Sequence, residues 1–448
     1  MGQILMERLK NKFCGKRILV VGLGLQGGGV GVAKFFAHLG AVVTVTDKKN
    51  EKQLKESINK LSGLAIDFRL GRHNLYDFLK ADFIFKGPSV PWDLPEIIAA
   101  QKKGIPVEME LSFFAKNCPA KIIGVTGTRG KSTTANLVYF LLKKSGYSVY
   151  LAGNFPKIST INLLKKISED DWVVLELSSW ALSGFHWEKI SPHIAIFTNF
   201  YPDHLNYYKN LDDYFYDKAA IFLYQRKDDY LIANQALKSL IEKYRISSRI
   251  IYFTKEDFPK KNLNYLFGDH NLENASSVLP VAKILNIDEK KAIEIIKNFS
   301  GLPFRLQKIR EKNGIVFIND SASTTPIATI KAIDTYISKK IVLILGGNSK
   351  NLPYGDLVEK LRNVEKIVLL EGSFTKEILP ILKEKYKKKL AGPFNSLRAA
   401  VKKAYHEALN FKEVIVLFSP AATSFSMFNN EFHRGEQFNY EVERLKIN

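Results

Sequence analysis

The sequence predicts an α/β protein with three domains built on mainly parallel sheets, and three observations predict it. Apolar, β-branched runs end in Gly-rich or polar turns at Ile18-Leu-Val-Val-Gly22, Ile122-Ile-Gly-Val-Thr126 and Ile341-Val-Leu-Ile-Leu-Gly346, the form of a parallel strand feeding a helix. Further apolar runs follow each of them at strand-helix-strand intervals. The length of 448 residues suits about three units at ~150 residues each, every one long enough to bury a core.

In the first unit a second strand, Ala41-Val-Val-Thr-Val-Thr46, closes on Asp47, and a third, Asp82-Phe-Ile-Phe85, ends at Gly87-Pro88. The second unit continues through Ser148-Val-Tyr-Leu-Ala152, Trp172-Val-Val-Leu-Glu176, His193-Ile-Ala-Ile-Phe-Thr198 and Tyr230-Leu-Ile-Ala233. The third adds Lys366-Ile-Val-Leu-Leu370 and Val414-Ile-Val-Leu-Phe418. Joints fall near Val107 and Leu302, giving domains at 1–107, 108–302 and 303–448. The first and third are expected to be Rossmann-like.

Composition narrows the function classes. With 46% hydrophobic and 25% charged residues the chain is globular, not disordered or collagen-like. The two cysteines, Cys14 and Cys118, exclude a disulfide framework and favour a reducing compartment. The N-terminal segment lacks the apolar core of a secretory signal, and no apolar run reaches the ~18 residues of a membrane span, so a cytoplasmic location is expected. The 66 basic against 45 acidic residues give a net charge of +21, which suits anionic ligands. Runs such as Lys385-Tyr-Lys-Lys-Lys389 read as solvated faces, and no Arg stripe is interleaved with aromatics, so no nucleic-acid partner is expected.

The sharpest chemical signal is Gly124-Val-Thr-Gly127-Thr-Arg-Gly130-Lys131-Ser132-Thr133, between a strand and a helical stretch, Thr134-Ala-Asn-Leu-Val-Tyr-Phe-Leu-Leu142. Glycines let backbone N–H groups turn onto phosphate oxygens, a helix N-terminus adds positive potential, a lysine reaches the terminal phosphates and a hydroxyl can ligate Mg²⁺. Val125 stands where the strict motif has a further glycine, so this is a variant phosphate loop in a central domain of ATPase type. Groups able to hold a metal occur at strand ends: Glu176 closes its strand, His204 follows one in Thr198-Asn-Phe-Tyr-Pro-Asp-His204, and Lys218 lies fourteen residues further on. In the first unit Gly22-Leu-Gly24-Leu-Gln-Gly27 with Asp47 reads, taken alone, as a dinucleotide fingerprint.

Taken together these residues resemble the Mur ligase family, ATP-dependent amide-bond ligases of peptidoglycan precursor synthesis. The motifs arrive in family order: the phosphate loop, Glu176-Leu-Ser-Ser179, Thr198-Asn199 with Asp203-His204, His270-Asn271 with Asn274, Leu302-Pro303 with Arg305, Asn319-Asp320-Ser321, Gly346-Gly347 with Lys350, and Ser419-Pro420-Ala421. The resemblance implies that Gly127, Thr128, Gly130, Lys131, Ser132 and Thr133 hold the ATP phosphates, helped by Asn271, Arg305 and Asp320. It implies that Ser132 or Thr133, Glu176, His204 and a carbamylated Lys218 hold two Mg²⁺ ions. Lys131, Glu176, His204 and Lys218 are thus the expected catalytic set, and the third domain must close on the second before reaction.

The resemblance further implies that the first domain grips a uridine diphosphate sugar through Gly22, Gly24, Leu25, Gln26, Asp47 and Lys48, with Asn154 and Ser178 as added contacts. The substrates would be UDP-N-acetylmuramoyl-L-alanine, glutamate and ATP, acting on a monomer. Thr324, Lys350, Ser424 and Phe432 would bind the amino acid. Three positions depart from the family pattern: Ala322 stands for a lysine, Ala181 for a glutamine, and Glu431 for an aromatic that falls instead on Phe432. Two of these touch the amino-acid pocket, so the handedness of the glutamate stays open. Sister ligases with another amino acid, an NAD-binding oxidoreductase and a nucleic-acid-stimulated ATPase remain the alternatives.

Overall fold

The computed structural model describes residues 2–25, 27–155, 159–204, 207–259, 263–264, 266, 268–424, 427–428 and 430–445. The predicted contact Gln26 lies outside them.

Three sheets carry the fold. The first is wholly parallel, with β1 (Arg17–Val21), β2 (Val42–Asp47), β3 (Ile66–Leu70), β4 (Phe83–Lys86) and β5 (Val107–Glu108) in the order β3-β2-β1-β4-β5. The chain reverses its winding between β1 and β4, so a crevice opens at their carboxyl ends, the usual place for a ligand in such sheets. The second sheet, also parallel, contains β6 (Lys121–Thr126), β7 (Val149–Gly153), β8 (Trp172–Glu176), β9 (Ile194–Phe197), β10 (Tyr230–Asn234) and β11 (Arg249–Phe253). Its order is β11-β10-β9-β6-β8-β7, which sets β6 between β8 and β9.

The third sheet contains β12 (Gln307–Lys312), β13 (Ile315–Asn319), β14 (Lys340–Gly346), β15 (Lys366–Leu370), β16 (Leu390–Phe394) and β17 (Val414–Phe418), in the order β12-β13-β17-β14-β15-β16. Only the β12–β13 pair is antiparallel. Helices cover both faces, so β14 is apolar from Ile341 onward: Ile341, Leu343 and Leu345 enter one core layer, Val342 and Ile344 the other.

The chain forms two compact units, one of residues 1–262 with 269–296, the other of 263–268 with 297–448. Inside the larger unit the first two sheets share one core. Phe13, Phe36 and Phe85 of the first sheet's layer join Phe113 and Phe114 of the helix Glu110–Asn117, and the same cluster runs on to Leu182 and Phe185. No helix among the described residues is long and apolar enough to cross a membrane.

Candidate active site

The phosphate loop springs from the carboxyl end of β6 and runs into the helix Lys131–Lys144, with Ser132 and Thr133 in its first turn. The neighbouring strand end clamps it. Thr128 donates its backbone N–H to Asn199 O at 2.9 Å, Arg129 donates to Asn199 Oδ1 at 2.8 Å, and the Thr198 hydroxyl donates to Arg129 O at 2.7 Å. Two loop glycines are required sterically. A Cβ on Gly127 would stand 2.0 Å from Thr198 Oγ1, and one on Gly130, whose φ is 81°, would stand 2.3 Å from Asn274 Oδ1. Asn274 also accepts from Thr134 at 3.3 Å and donates to Asn271 Oδ1 at 3.2 Å, so Asn271 is tied to the loop's helix through one shared side chain.

The structure brings Lys131 and Lys218 to one atom. Lys131 Nζ donates to Gly127 O at 3.1 Å and to Thr128 O at 3.0 Å; Lys218 Nζ donates to the same Gly127 O at 2.9 Å. Lys218 projects from the helix Leu211–Leu223, is only 1% exposed, and lies 4.8 Å from the centre of the Tyr214 ring. Burial holds its amine well below the usual lysine range, and the charge of Lys131 lowers it further. Glu176, 4% exposed, ends β8 opposite Val125 of β6, one strand from the loop. His204 occupies a left-handed backbone conformation at φ 55° and packs its ring 4.9 Å from Trp180 and 5.8 Å from Tyr214. That conformation is unusual for a residue with a side chain and is tolerated where the surroundings fix it.

These residues suit magnesium in kind. A buried carboxylate at Glu176 and hydroxyls at Ser132 and Thr133 are the hard oxygen donors that this ion prefers. Among the described residues no three His, Cys, Asp or Glu side chains converge tightly enough to hold an ion by themselves.

Beside this centre lies a cavity of about 640 Å³ at the crevice of the first sheet. Gly22, Gly24, Leu25, Asp47, Lys48 and Asn154 line it. Asp47 holds its own walls: its two oxygens accept the backbone N–H groups of Gly24 at 3.1 Å and Lys49 at 2.9 Å. Asn154 donates its backbone N–H to Glu176 O at 2.9 Å, joining the cavity wall to the β8 strand end. Ser178 does not line the cavity; its hydroxyl caps the helix Ser179–Glu188 by accepting from Ala181 N–H at 3.2 Å. Lys86, His73 and Glu110 line the cavity too, and the motifs did not single them out. The available signal for Lys86 was its place at the end of a predicted strand.

The smaller unit gathers the remaining candidates at the carboxyl edge of the third sheet. Asp320 follows β13 and accepts from Leu306 N–H at 3.2 Å and from the Ser419 hydroxyl at 2.7 Å, and burial pushes its carboxyl up to about 6. Arg305 stands between Phe304 and Leu306, both in left-handed conformations at φ 63° and 46°. Lys350 Nζ donates to Thr324 Oγ1 at 2.8 Å. Ser424 is buried and Phe432 sits against Phe304, with ring centres 6.1 Å apart. Arg434, fully buried, ties this edge together through Ser321 O at 2.8 Å and Ala422 O at 3.0 Å.

Comparison with known proteins follows the same outline. The chain matches the model of the Mur ligase middle domain over residues 125–295 and that of the Mur ligase MurD-like N-terminal domain over 16–108. It is 34% identical to the UDP-N-acetylmuramoylalanine--D-glutamate ligase of Roseiflexus sp., covering 96% of this chain and 99% of that one. It is 35% identical to the protein of the same name from Borreliella afzelii, covering 98% and 99%. In fold it is similar to the UDP-N-acetylmuramate-alanine ligase of Thermotoga maritima, with TM-score 0.56, 22% identity, and coverage of 96% and 99%.

Proposed function

Because this chain belongs to the Mur ligase family of ATP-dependent amide-bond ligases, we propose that it joins D-glutamate to the carboxylate of UDP-N-acetylmuramoyl-L-alanine, with ADP and phosphate as the other products. The observation that carries the reading is the meeting of Lys131 and Lys218 on Gly127 O, beside a cavity whose wall is bonded to the Glu176 strand end. A phosphate loop alone would fit many nucleotide enzymes. A buried lysine with a weakened hold on its proton, donating to the loop carbonyl beside a pocket lined by a second glycine loop, fits an enzyme that brings a nucleotide sugar to ATP.

The chemistry follows from what an amide bond needs. A carboxylate is a poor electrophile, so its oxygen attacks the γ-phosphorus of ATP and forms an acyl phosphate with a good leaving group. The amino group of glutamate then attacks the acyl carbon, and inorganic phosphate departs. The backbone N–H groups from Gly127 to Thr133 and the Lys131 ammonium stabilise charge on the phosphoryl oxygens. Magnesium, when bound, supplies further positive charge there; Ser132 or Thr133, Glu176, His204 and carbamylated Lys218 are the residues to hold it. Asn271, Arg305 and Asp320 are assigned to ATP, and Thr324, Lys350, Ser424 and Phe432 to glutamate. The glycine loop of β1, with Leu25, Asp47, Lys48 and Asn154, is assigned to the sugar nucleotide in place of a nicotinamide dinucleotide.

The domains 1–107, 108–302 and 303–448 then hold uridine nucleotide, ATP and amino acid in turn. One chain carries every assigned residue, so a monomer suffices, and the cytoplasm is where ATP and a nucleotide sugar meet. The test is phosphate release with UDP-N-acetylmuramoyl-L-alanine and D-Glu, L-Glu, D-Asp or Lys supplied separately. Release that requires D-Glu and is abolished in Lys131→Ala supports the reading; release indifferent to the amino acid rejects it.

A further inference from the structure

Lys86 is a buried lysine with no ion pair among the described residues; the one carboxylate that acts on its amine is Asp217, which accepts from the Tyr208 hydroxyl at 2.9 Å. Lys86 ends β4, opposite Val21 of β1, lines the cavity, and is 3% exposed. Its one hydrogen bond among the described residues goes to Val90 O at 2.8 Å, and its amine lies 4.3 Å from the Trp92 ring centre. An ammonium group has three N–H donors, and a buried one needs an anion or several acceptors to offset its lost hydration. Val90 and the Trp92 face do not fill that need.

Neighbouring groups direct the inference. Gly22, at the end of β1, comes so close to this turn that a Cβ there would touch Val90 Cγ2 at 3.2 Å, which puts the Lys86–Val90 pair beside the first glycine loop. The two oxygens of Asp47 are bonded to Gly24 and Lys49 N–H groups. Glu110 accepts from the Ser159 hydroxyl at 2.9 Å and from Ile161 N–H at 3.2 Å. Asp47 and Glu110 are thus bonded to backbone and hydroxyl donors and Asp217 to Tyr208, while the Lys86 amine spends one of its three donors, on Val90 O, at the edge of the cavity.

Resting on the sugar-nucleotide reading of this cavity, we propose that Lys86 binds the diphosphate of that substrate. Burial lowers its amine to about 7, so an arriving dianion recharges a group that is costly to keep charged in its absence. The bland alternative is a lysine that only braces the turn through Val90.

Calorimetry on the full chain separates these, with uridine, UDP, UDP-N-acetylglucosamine and UDP-N-acetylmuramoyl-L-alanine as ligands. Lys86→Met should weaken UDP and UDP-N-acetylglucosamine binding about 10- to 100-fold, as loss of a charge-assisted hydrogen bond implies, and leave uridine within about threefold. Lys86→Arg should restore part of the loss, and KM for the sugar substrate should rise in the Met variant with kcat kept. Equal weakening of uridine and UDP would make Lys86 a brace and overturn the proposal. So would unchanged UDP affinity. A loss seen only with the muramoyl-alanine substrate would move Lys86 to that carboxylate and overturn the diphosphate assignment. If the unaltered protein ignores UDP, the cavity reading falls together with this one; if it binds UDP and the variants do not matter, only this one falls. Should the Met variant melt early, Lys86→Gln carries the same comparison.

Discussion

Lys131 and Lys218 hold their amines against one acceptor, Gly127 O, at 3.1 and 2.9 Å. Burial lowers the affinity of Lys218 for its proton, and the charge of Lys131 beside the same acceptor lowers it further. A neutral amine is what CO₂ requires for carbamate formation. Lys218→Ala should therefore lose roughly three orders of magnitude in phosphate release, the scale of removing one electrostatic stabiliser, and recover in part with short-chain carboxylates. Full activity in the unrescued variant would remove the carbamate role. Stability should move the other way. With a lowered folded value, the unfolded chain binds more protons between that value and the ordinary lysine range, so Lys218 costs stability at pH 7 and the cost fades as pH rises. Lys218→Met should melt at or above the temperature of the unaltered chain at pH 7.

Thr198 gives the second prediction. Its hydroxyl donates to Arg129 O at 2.7 Å and lies within 3.2 Å of Thr126 O, so it joins the β9 end to the loop. Thr198→Val keeps the shape but leaves Arg129 O with Asn199 Nδ2, at 3.1 Å, as its remaining partner here. The lost bond should cost about 1 kcal/mol in loop order and raise KM for ATP by about fivefold, with the sugar-nucleotide KM unchanged. An unchanged KM for ATP would show that the clamp is not needed to shape the loop.

How far the sequence carried depends on the kind of signal. β8, β15 and β17 coincide with apolar runs of the sequence, because a strand buried on both faces is apolar along its interior, with charges only at its ends. The edge strand β12, Gln-Lys-Ile-Arg-Glu-Lys, is mostly polar and carries no apolar run, and the structure adds it together with β3, β5, β11, β13 and β16 to the strands the sequence predicts. The glycine loops were legible because few other residues fit their contacts. Lys86 was not, since a lysine at a strand end looks like a solvated residue until the Trp92 side is known to cover it. The common core of the first two sheets was equally hidden: Phe113 and Phe114 lie just past the expected joint at Val107, and only packing shows that they serve both sides.

Asp320 supplies a third prediction through pH. Burial raises its carboxyl to about 6, above the unfolded value, while Ser323, Ser419 and Leu306 pull it back down. A raised folded value means that the stability this group contributes is fully present below the unfolded range and is lost as pH rises through about 6. Asp320→Asn removes the charge and keeps Oδ1 as an acceptor for Leu306 N–H, while its Nδ2 replaces the acceptor of the Ser419 hydroxyl with a donor. In urea unfolding, the Asn variant should gain on the parent between pH 5 and pH 7.5, while its KM for ATP rises. A gap between the two proteins that does not change with pH would show that Asp320 does not titrate in that window.

Lys350 and Thr324 form the last pair, 2.8 Å apart, at an exposed position that gives the ammonium group little reason to stay on a neutral hydroxyl. A carboxylate would be the stronger acceptor, and the Thr324 hydroxyl could then donate to the same anion. On the reading that these residues bind the amino acid, Lys350→Ala should raise KM for glutamate about 10- to 100-fold, the cost of losing a charge-assisted bond, without altering KM for ATP or the sugar nucleotide. Thr324→Val should cost less, about fivefold, because it removes a neutral donor. Steady-state kinetics with each substrate varied in turn would check both. An equal rise in all three Michaelis constants would mean that Lys350 supports the fold of this edge and not the recognition of glutamate.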